Sequence, residues 1–181
     1  YLKVAFMHSE RLNRHIKFLF DKGGVYKVYN NNLLFHGGIP LTDDGDLMGL
    51  EAAGGLKGKS LMDYLEKMVR KGYFSTNQID RDRGKDFLWF LWCGQDSPLC
   101  ARKKITTFER LLIADKSAHV EPPNAYYMTW NNEKLAIKIL EEFGLSSMGS
   151  HIINGHIPVK KGDSPIKANG RIIVIDGGFC K

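Results

Sequence analysis

Cysteine is scarce in this chain and long apolar runs are missing from it. The three cysteines, Cys93, Cys100 and Cys180, form an odd set without Cys-x-x-Cys spacing. They encode neither a disulfide framework nor a zinc ribbon, and they fit a reducing cytoplasm. The longest oily stretch, Phe87-Leu88-Trp89-Phe90-Leu91-Trp92, falls far below the roughly 18 to 20 apolar residues that span a bilayer, so it is core or a lining wall and no membrane partner is expected. No signal peptide opens the sequence, because Lys3, His8, Glu10 and Arg11 break up the apolar residues there. Internal repeats and low-complexity runs are absent as well. So are blocks of like charge. The net charge of +6 and pI of about 9.2 suit a polyanionic partner, but the cations are scattered along the chain, which argues against nucleic acid. A substrate carrying two phosphates accounts for the sign equally well.

What is present suffices for one core. At 181 residues, 43% hydrophobic and 25% charged, residues 1–181 need not form more than one domain. The chain starts at Tyr1 within an apparently structured segment and stops at Lys181 just after a glycine-rich turn, so a fragment of a longer polypeptide is expected.

Hydrophobic periodicity sketches the elements. Leu12, Ile16, Leu19 and Phe20 predict a helix over 11–20, closed by Asp21-Lys22-Gly23-Gly24. A strand over 25–29, a turn at Asn30-Asn31 and a strand ending at His36 follow. Thr42-Asp43-Asp44-Gly45-Asp46 has its acids out of register for an EF-hand and reads as a surface turn. Ala53-Gly54-Gly55-Leu56-Lys57-Gly58-Lys59-Ser60 misses the phosphate-binding P-loop at its first glycine. It reads as a helix start, with Ser60 as N-cap and Asp63 completing a capping box. Leu61, Leu65, Met68 and Val69 then give that helix its apolar stripe. Dense mixed charge over 80–83 suits a solvated helix start or loop. Pro122-Pro123-Asn124 marks a loop, residues 131–143 a helix stopped by Gly144, Asn169-Gly170 a hairpin, and residues 171–176 the last strand.

Two histidines stand in matching surroundings: Asn32-Leu33-Leu34-Phe35-His36-Gly37-Gly38-Ile39-Pro40 and His151-Ile152-Ile153-Asn154-Gly155-His156-Ile157-Pro158-Val159. Each imidazole ends a short apolar run and is followed closely by proline. An apolar run bounded by Gly and Pro reads as a buried strand that stops abruptly, which puts each histidine at a strand end. Mixed sheets build sites there. Neutral imidazole is the commonest nitrogen ligand for first-row divalent cations and needs a rigid element to aim it. Read singly, either histidine could instead be a satisfied interior or turn residue.

The wording His-Gly-Gly-x-Pro, followed much later by Gly-His-x-Pro-Val, resembles the last two histidine motifs of the calcineurin-like metallophosphoesterases. A narrower resemblance rests on 26–30 with 33–37, Leu91-Trp92-Cys93-Gly94, Thr106-Thr107-Phe108-Glu109-Arg110, 139–145, 151–156, Pro165-Ile166-Lys167-Ala168-Asn169-Gly170 and Ile175-Asp176-Gly177-Gly178-Phe179. Together these are similar to the bacterial class III fructose-1,6-bisphosphatases over nearly the whole chain. The resemblance implies an α/β (α+β) fold, a mixed β-sheet sandwich flanked by helices, of which this chain supplies the second half. It also implies hydrolysis of the 1-phosphate of fructose 1,6-bisphosphate in gluconeogenesis, by a hydroxide that two divalent metals, manganese above all, activate. His36 then matches the penultimate histidine ligand and His156 the last. Pro158 stands where many metallophosphoesterases have a second histidine, so that motif carries over one ligand.

Arg110, within the Thr106-Thr107-Phe108 motif, is a candidate phosphate contact, since a guanidinium can hold phosphate bidentately. Arg102 and Lys104 belong to the only tight basic cluster and are candidates too, with a solvated loop as the alternative. Asp176 could orient an imidazole or simply form the turn before Gly177. The Asp-x-His, Gly-Asp-x-x-Asp and Gly-Asn-His motifs that supply the family's other ligands and its general acid are absent. Expected partners are therefore the sugar bisphosphate and the rest of the same polypeptide, and the chain alone should turn over little or nothing. A dinucleoside polyphosphatase or a protein phosphatase would use the same histidine pair. A polyanion-binding module would instead bind nucleic acid with steep salt dependence and ignore chelators.

Overall fold

A computed structural model describes residues 1–146 and 148–177. Gly178 and Phe179 of the last motif, and Cys180, lie outside the described residues. The chain runs α1 (Leu2–Met7), α2 (Glu10–Lys22), β1 (Tyr26–Tyr29), β2 (Asn32–Phe35), α3 (Gly58–Phe74), α4 (Gln78–Cys93), α5 (Thr107–Leu112), α6 (Ala125–Thr129), α7 (Glu133–Glu142), β3 (His151–Asn154), β4 (Ile166–Lys167) and β5 (Ile172–Val174).

The five strands form one mixed sheet in the order β1-β2-β3-β5-β4. The β1-β2 and β4-β5 pairs are antiparallel hairpins, whereas β3 lies parallel to both β2 and β5. Side chains alternate as strand geometry requires. Leu33, Phe35, Ile152, Ile172 and Val174 are buried on one face, in one core with Leu61, Met62 and Leu65 of α3 and Leu135, Ile139 and Leu140 of α7. On the other face Leu34, Ile153 and Ile173 stand in register across the three parallel strands and are half-buried. The expected mixed sheet flanked by helices is thus present.

Local chemistry explains most element ends. Ser9 caps α2 by accepting from the Leu12 amide at 3.3 Å. The Arg70 guanidinium of α3 donates to the carbonyls of Phe20 and Gly23 at that helix's far end. Asn77 and Asn132 cap α4 and α7, and Gly144 after α7 takes φ 75°. The hairpin at Asn169-Gly170 forms with a 3-10 turn at its tip.

One expectation at a helix start is corrected. Ser60 does not cap α3: the helix begins at Gly58, and the Lys59 amide donates to Glu142 Oε1 of α7 at 3.0 Å. A carboxylate from a neighbouring helix serves a free N–H group of the first turn, in place of the local hydroxyl cap that was expected. Asp63 instead pairs with Lys59 at 2.6 Å and accepts from the Tyr26 hydroxyl at 2.6 Å. The aromatic run divides. Phe87 and Leu91 are core, while Leu88, Trp89 and Trp92 remain exposed. Among the described residues no helix is long and apolar enough to cross a membrane.

Candidate metal and phosphate site

β2 and β3 are neighbours and run the same way, with Phe35 opposite Asn154. The residues after them, His36 on one strand and Gly155-His156 on the other, therefore leave the sheet together at its C-terminal edge. The Gly155 amide donates to the His36 carbonyl at 3.1 Å, extending the ladder by one bond. Behind His36 the chain turns sharply through Gly37 and Gly38, and the Gly38 amide donates to the Pro98 carbonyl at 2.9 Å. Behind Gly155 the chain folds into a three-residue turn. The Ile157 amide donates to the Gly155 carbonyl at 2.9 Å, and His156 between them sits at φ 70°. A γ-turn with positive central φ is the rarer, strained form, and such strain costs on the order of 1–3 kcal/mol.

That turn brings the imidazoles face to edge, with ring centroids 4.9 Å apart. His156 Nδ1 lies 3.1 Å from His36 Nε2, and the other nitrogen of His156, Nε2, is buried with no hydrogen-bond partner among the described residues. Burial, then the neighbouring His36 and Arg102, hold the His156 pKa below the usual histidine value. The neutral form it favours is the one that binds metal. Two nitrogens each about 2.1 Å from one ion and at right angles to each other stand roughly 3.0 Å apart. The pair's spacing therefore fits shared ligation of one divalent ion. Among the described residues no group of three or more His, Cys, Asp and Glu side chains completes such a site.

A cleft of about 420 Å³ opens beside the pair and is lined by His36, His156, Trp92, Arg102 and Glu121 among others. Arg102 brings positive charge into it. Its Nη1 lies 3.9 Å from Glu121 Oε2, and its side chain is 26% exposed. Glu121 also accepts from the Thr106 amide at 2.9 Å and from the Thr106 hydroxyl at 3.0 Å. These bonds, the Thr106 amide first, hold its carboxyl below the usual carboxylate range.

Arg110 and Lys104 do not line this cleft. Arg110 donates from Nε to the Thr106 hydroxyl at 3.0 Å and from Nη2 to the His119 carbonyl at 3.1 Å. Lys104 lies 3.4 Å from the Ala118 carbonyl and 3.9 Å from Glu109. Asp176 stands beside the second histidine turn, and its carbonyl accepts from the Val159 amide at 2.8 Å. Among the described residues its carboxylate makes no hydrogen bond to either imidazole.

Sequence reasoning missed Glu121, Asn154 and Tyr127. Glu121 directly precedes the Pro122-Pro123 loop and offered no spacing signal. Asn154 sits inside the histidine motif itself, where a polar residue closing an apolar strand was the available clue.

A five-stranded mixed sheet flanked by helices, with imidazoles at adjacent strand ends, is consistent with an α+β phosphoesterase-like fold. Residues 1–181 match the firmicute fructose-1,6-bisphosphatase family from end to end, and the chain belongs to that family. Two similar curated proteins are a class 3 fructose-1,6-bisphosphatase of Clostridium botulinum strain 657, 53% identical over 99% of the chain, and one of Clostridium beijerinckii, 48% identical over the same share. The chain spans 28% of the length of each. No solved structure gives a significant match.

Proposed function

We propose that the full-length protein carrying this chain hydrolyses the 1-phosphate of fructose 1,6-bisphosphate in the cytoplasm, with manganese as its metal and His36 and His156 among the ligands. The observation that carries this reading is the imidazole pair, 3.1 Å between nitrogens, at the ends of two adjacent parallel strands. Relatives bearing the name fructose-1,6-bisphosphatase class 3 support the substrate.

When bound, divalent ions of this kind lower the pKa of water and offset charge on a phosphoryl group. The chain's own residues do the rest. His36 and His156 present ring nitrogens 3.1 Å apart. Arg102, steadied by Glu121, offers donors to a phosphate entering the cleft, and Trp92, Leu99 and Ile105 form its apolar wall. The missing carboxylate ligands must come from elsewhere in the polypeptide, whose docking would also cover the half-open row Leu34, Ile153 and Ile173, since parallel sheets are normally buried on both faces.

The test is phosphate release from fructose 1,6-bisphosphate with added manganese, on the full-length protein and on its His36→Ala and His156→Ala variants. Loss of roughly a hundredfold or more in both variants is expected, beyond the 10–100-fold typical of residues that merely support a ligand. Preference for a dinucleoside tetraphosphate or a phosphopeptide would overturn the substrate assignment. Wild-type turnover in either variant would overturn the ligand assignment.

A further inference from the structure

Between the two histidine turns lies a small buried polar cluster that metal or substrate binding does not use directly. α6 starts at the cap Asn124, whose Oδ1 lies 3.5 Å from the Tyr127 amide. Its two tyrosines point under the sheet edge. Tyr126 is core, 5.6 Å from Phe35 between ring centroids, and its hydroxyl lies 3.3 Å from Asn154 Oδ1. Tyr127 is 6% exposed, and its hydroxyl sits between two backbone carbonyls, 2.7 Å from that of Gly37 and 2.9 Å from that of Gly155. Those two residues adjoin His36 and His156. Asn154, fully buried at the end of β3, supports the same point: its Nδ2 lies 3.3 Å from the Gly37 carbonyl and 3.4 Å from the Tyr127 hydroxyl.

We infer that Tyr127 is a positioning residue for the histidine pair, its one hydroxyl fastening the His36-Gly37 turn to the Gly155-His156 turn. The inference rests on the reading of that pair as metal ligands.

A phenol has one proton to donate and here meets two acceptors, so it bridges them instead of satisfying either alone. Both carbonyls keep other partners, Asn154 Nδ2 for Gly37 and the Ile157 amide for Gly155. Removing the hydroxyl therefore orphans no backbone group, and the cost falls on the relative placement of the turns. The His156 turn, held at positive φ, has a ready way to relax once the bridge is gone. Groups that orient ligands without touching the metal are worth 10–100-fold in affinity when removed.

The experiment uses the full-length protein and Tyr127→Phe, which keeps the ring and deletes the oxygen. Manganese affinity is measured by calorimetry on metal-free protein, beside His156→Ala and the double variant. Tyr127→Phe should bind manganese about tenfold more weakly with its metal-free unfolding midpoint little changed, and it should regain kcat at saturating manganese. The tyrosine's effect should vanish in the His156→Ala background. Unchanged affinity in Tyr127→Phe overturns the inference, as does an equal loss in both backgrounds. If His156→Ala itself leaves affinity intact, the ligand reading has failed, and the clamp is then judged on metal-free crystals: imidazoles that part in Tyr127→Phe uphold it, and imidazoles that stay at the wild-type separation overturn it.

Discussion

Gly37→Ala separates packing from backbone conformation at the heart of the site. Gly37 follows His36 and does not have positive φ, so alanine would meet no conformational penalty there. A Cβ would, however, press on the Pro98 carbonyl, approach the Leu99 carbonyl to 2.8 Å and lie 3.0 Å from Ala101 Cβ. Two of these neighbours are backbone oxygens in a buried loop that cannot rotate away. Overpacking of this kind costs about 1–3 kcal/mol, offset by about 0.4–1 kcal/mol from the stiffer unfolded chain. A net cost of about 1–2 kcal/mol corresponds to a 5–30-fold rise in local opening. Amide exchange across residues 33–41 of the full-length protein should accelerate by that factor, and manganese affinity should fall because the displaced turn carries His36. Gly54→Ala is the contrast. Gly54 has φ 70° and nothing within 4 Å of a Cβ, so it should lose about 1–2 kcal/mol through φ alone and leave metal affinity untouched. Unchanged or slower exchange in Gly37→Ala would refute the steric argument.

Three further outcomes follow from Glu121 and its arginines. The folded-state pKa of Glu121 lies below its unfolded value, so between the two the unfolded chain binds more protons. The stability Glu121 contributes is complete above roughly pH 4.3, the ordinary glutamate pKa, and is lost as pH falls through the depressed folded value. Glu121→Gln should therefore flatten the acid limb of a plot of unfolding midpoint against pH, and an unaltered limb would count against that role. Arg102→Ala should raise KM for the bisphosphate by about 10–100-fold, the worth of charge-assisted hydrogen bonds, with Arg102→Lys restoring only part of it because the fork geometry is lost. Arg110→Ala, whose donors already serve Thr106 and His119, should raise KM less, and the reverse ranking in steady-state kinetics would reassign the phosphate contact.

Much of the scaffold was legible because its signals are local. The stripe Leu61, Leu65, Met68 and Val69, the glycine after α7 and the apolar runs before each histidine depend on periodicity and backbone freedom within a few residues. The capping box at Ser60 failed for the opposite reason, since the group that serves the Lys59 amide of α3 is Glu142, 83 residues away. The same distance hid Tyr127 and Glu121. Nothing near Tyr127 in sequence distinguishes it from Tyr126, yet one fills the core and the other bridges turns 90 and 28 residues away. A pattern reads what a residue is next to along the chain, and the support of a site is assembled across it.

The placement of the two chemistries has a consequence for how the site responds to change. His36 directly follows β2 whereas His156 lies one residue further beyond β3, so the strands bring the two segments together and the turn at His156 brings the rings to 4.9 Å. Strand pairing, the turn at His156, the Tyr127 bridge and the Gly37 packing together place the two imidazoles proposed as metal ligands. The cations are carried by another segment, between α4 and α6, where Glu121 pairs with Arg102 and the Thr106 hydroxyl accepts from Arg110, and of the two only Arg102 lines the cleft beside the imidazoles. Changes at the strand ends should therefore move metal affinity with little effect on KM at saturating metal, and changes at Glu121 or Arg102 should do the reverse. If Tyr127→Phe and Arg102→Ala altered both quantities in equal measure, the ligand turns and the phosphate loop would be one cooperative unit, and the division drawn from their separate supports would be wrong.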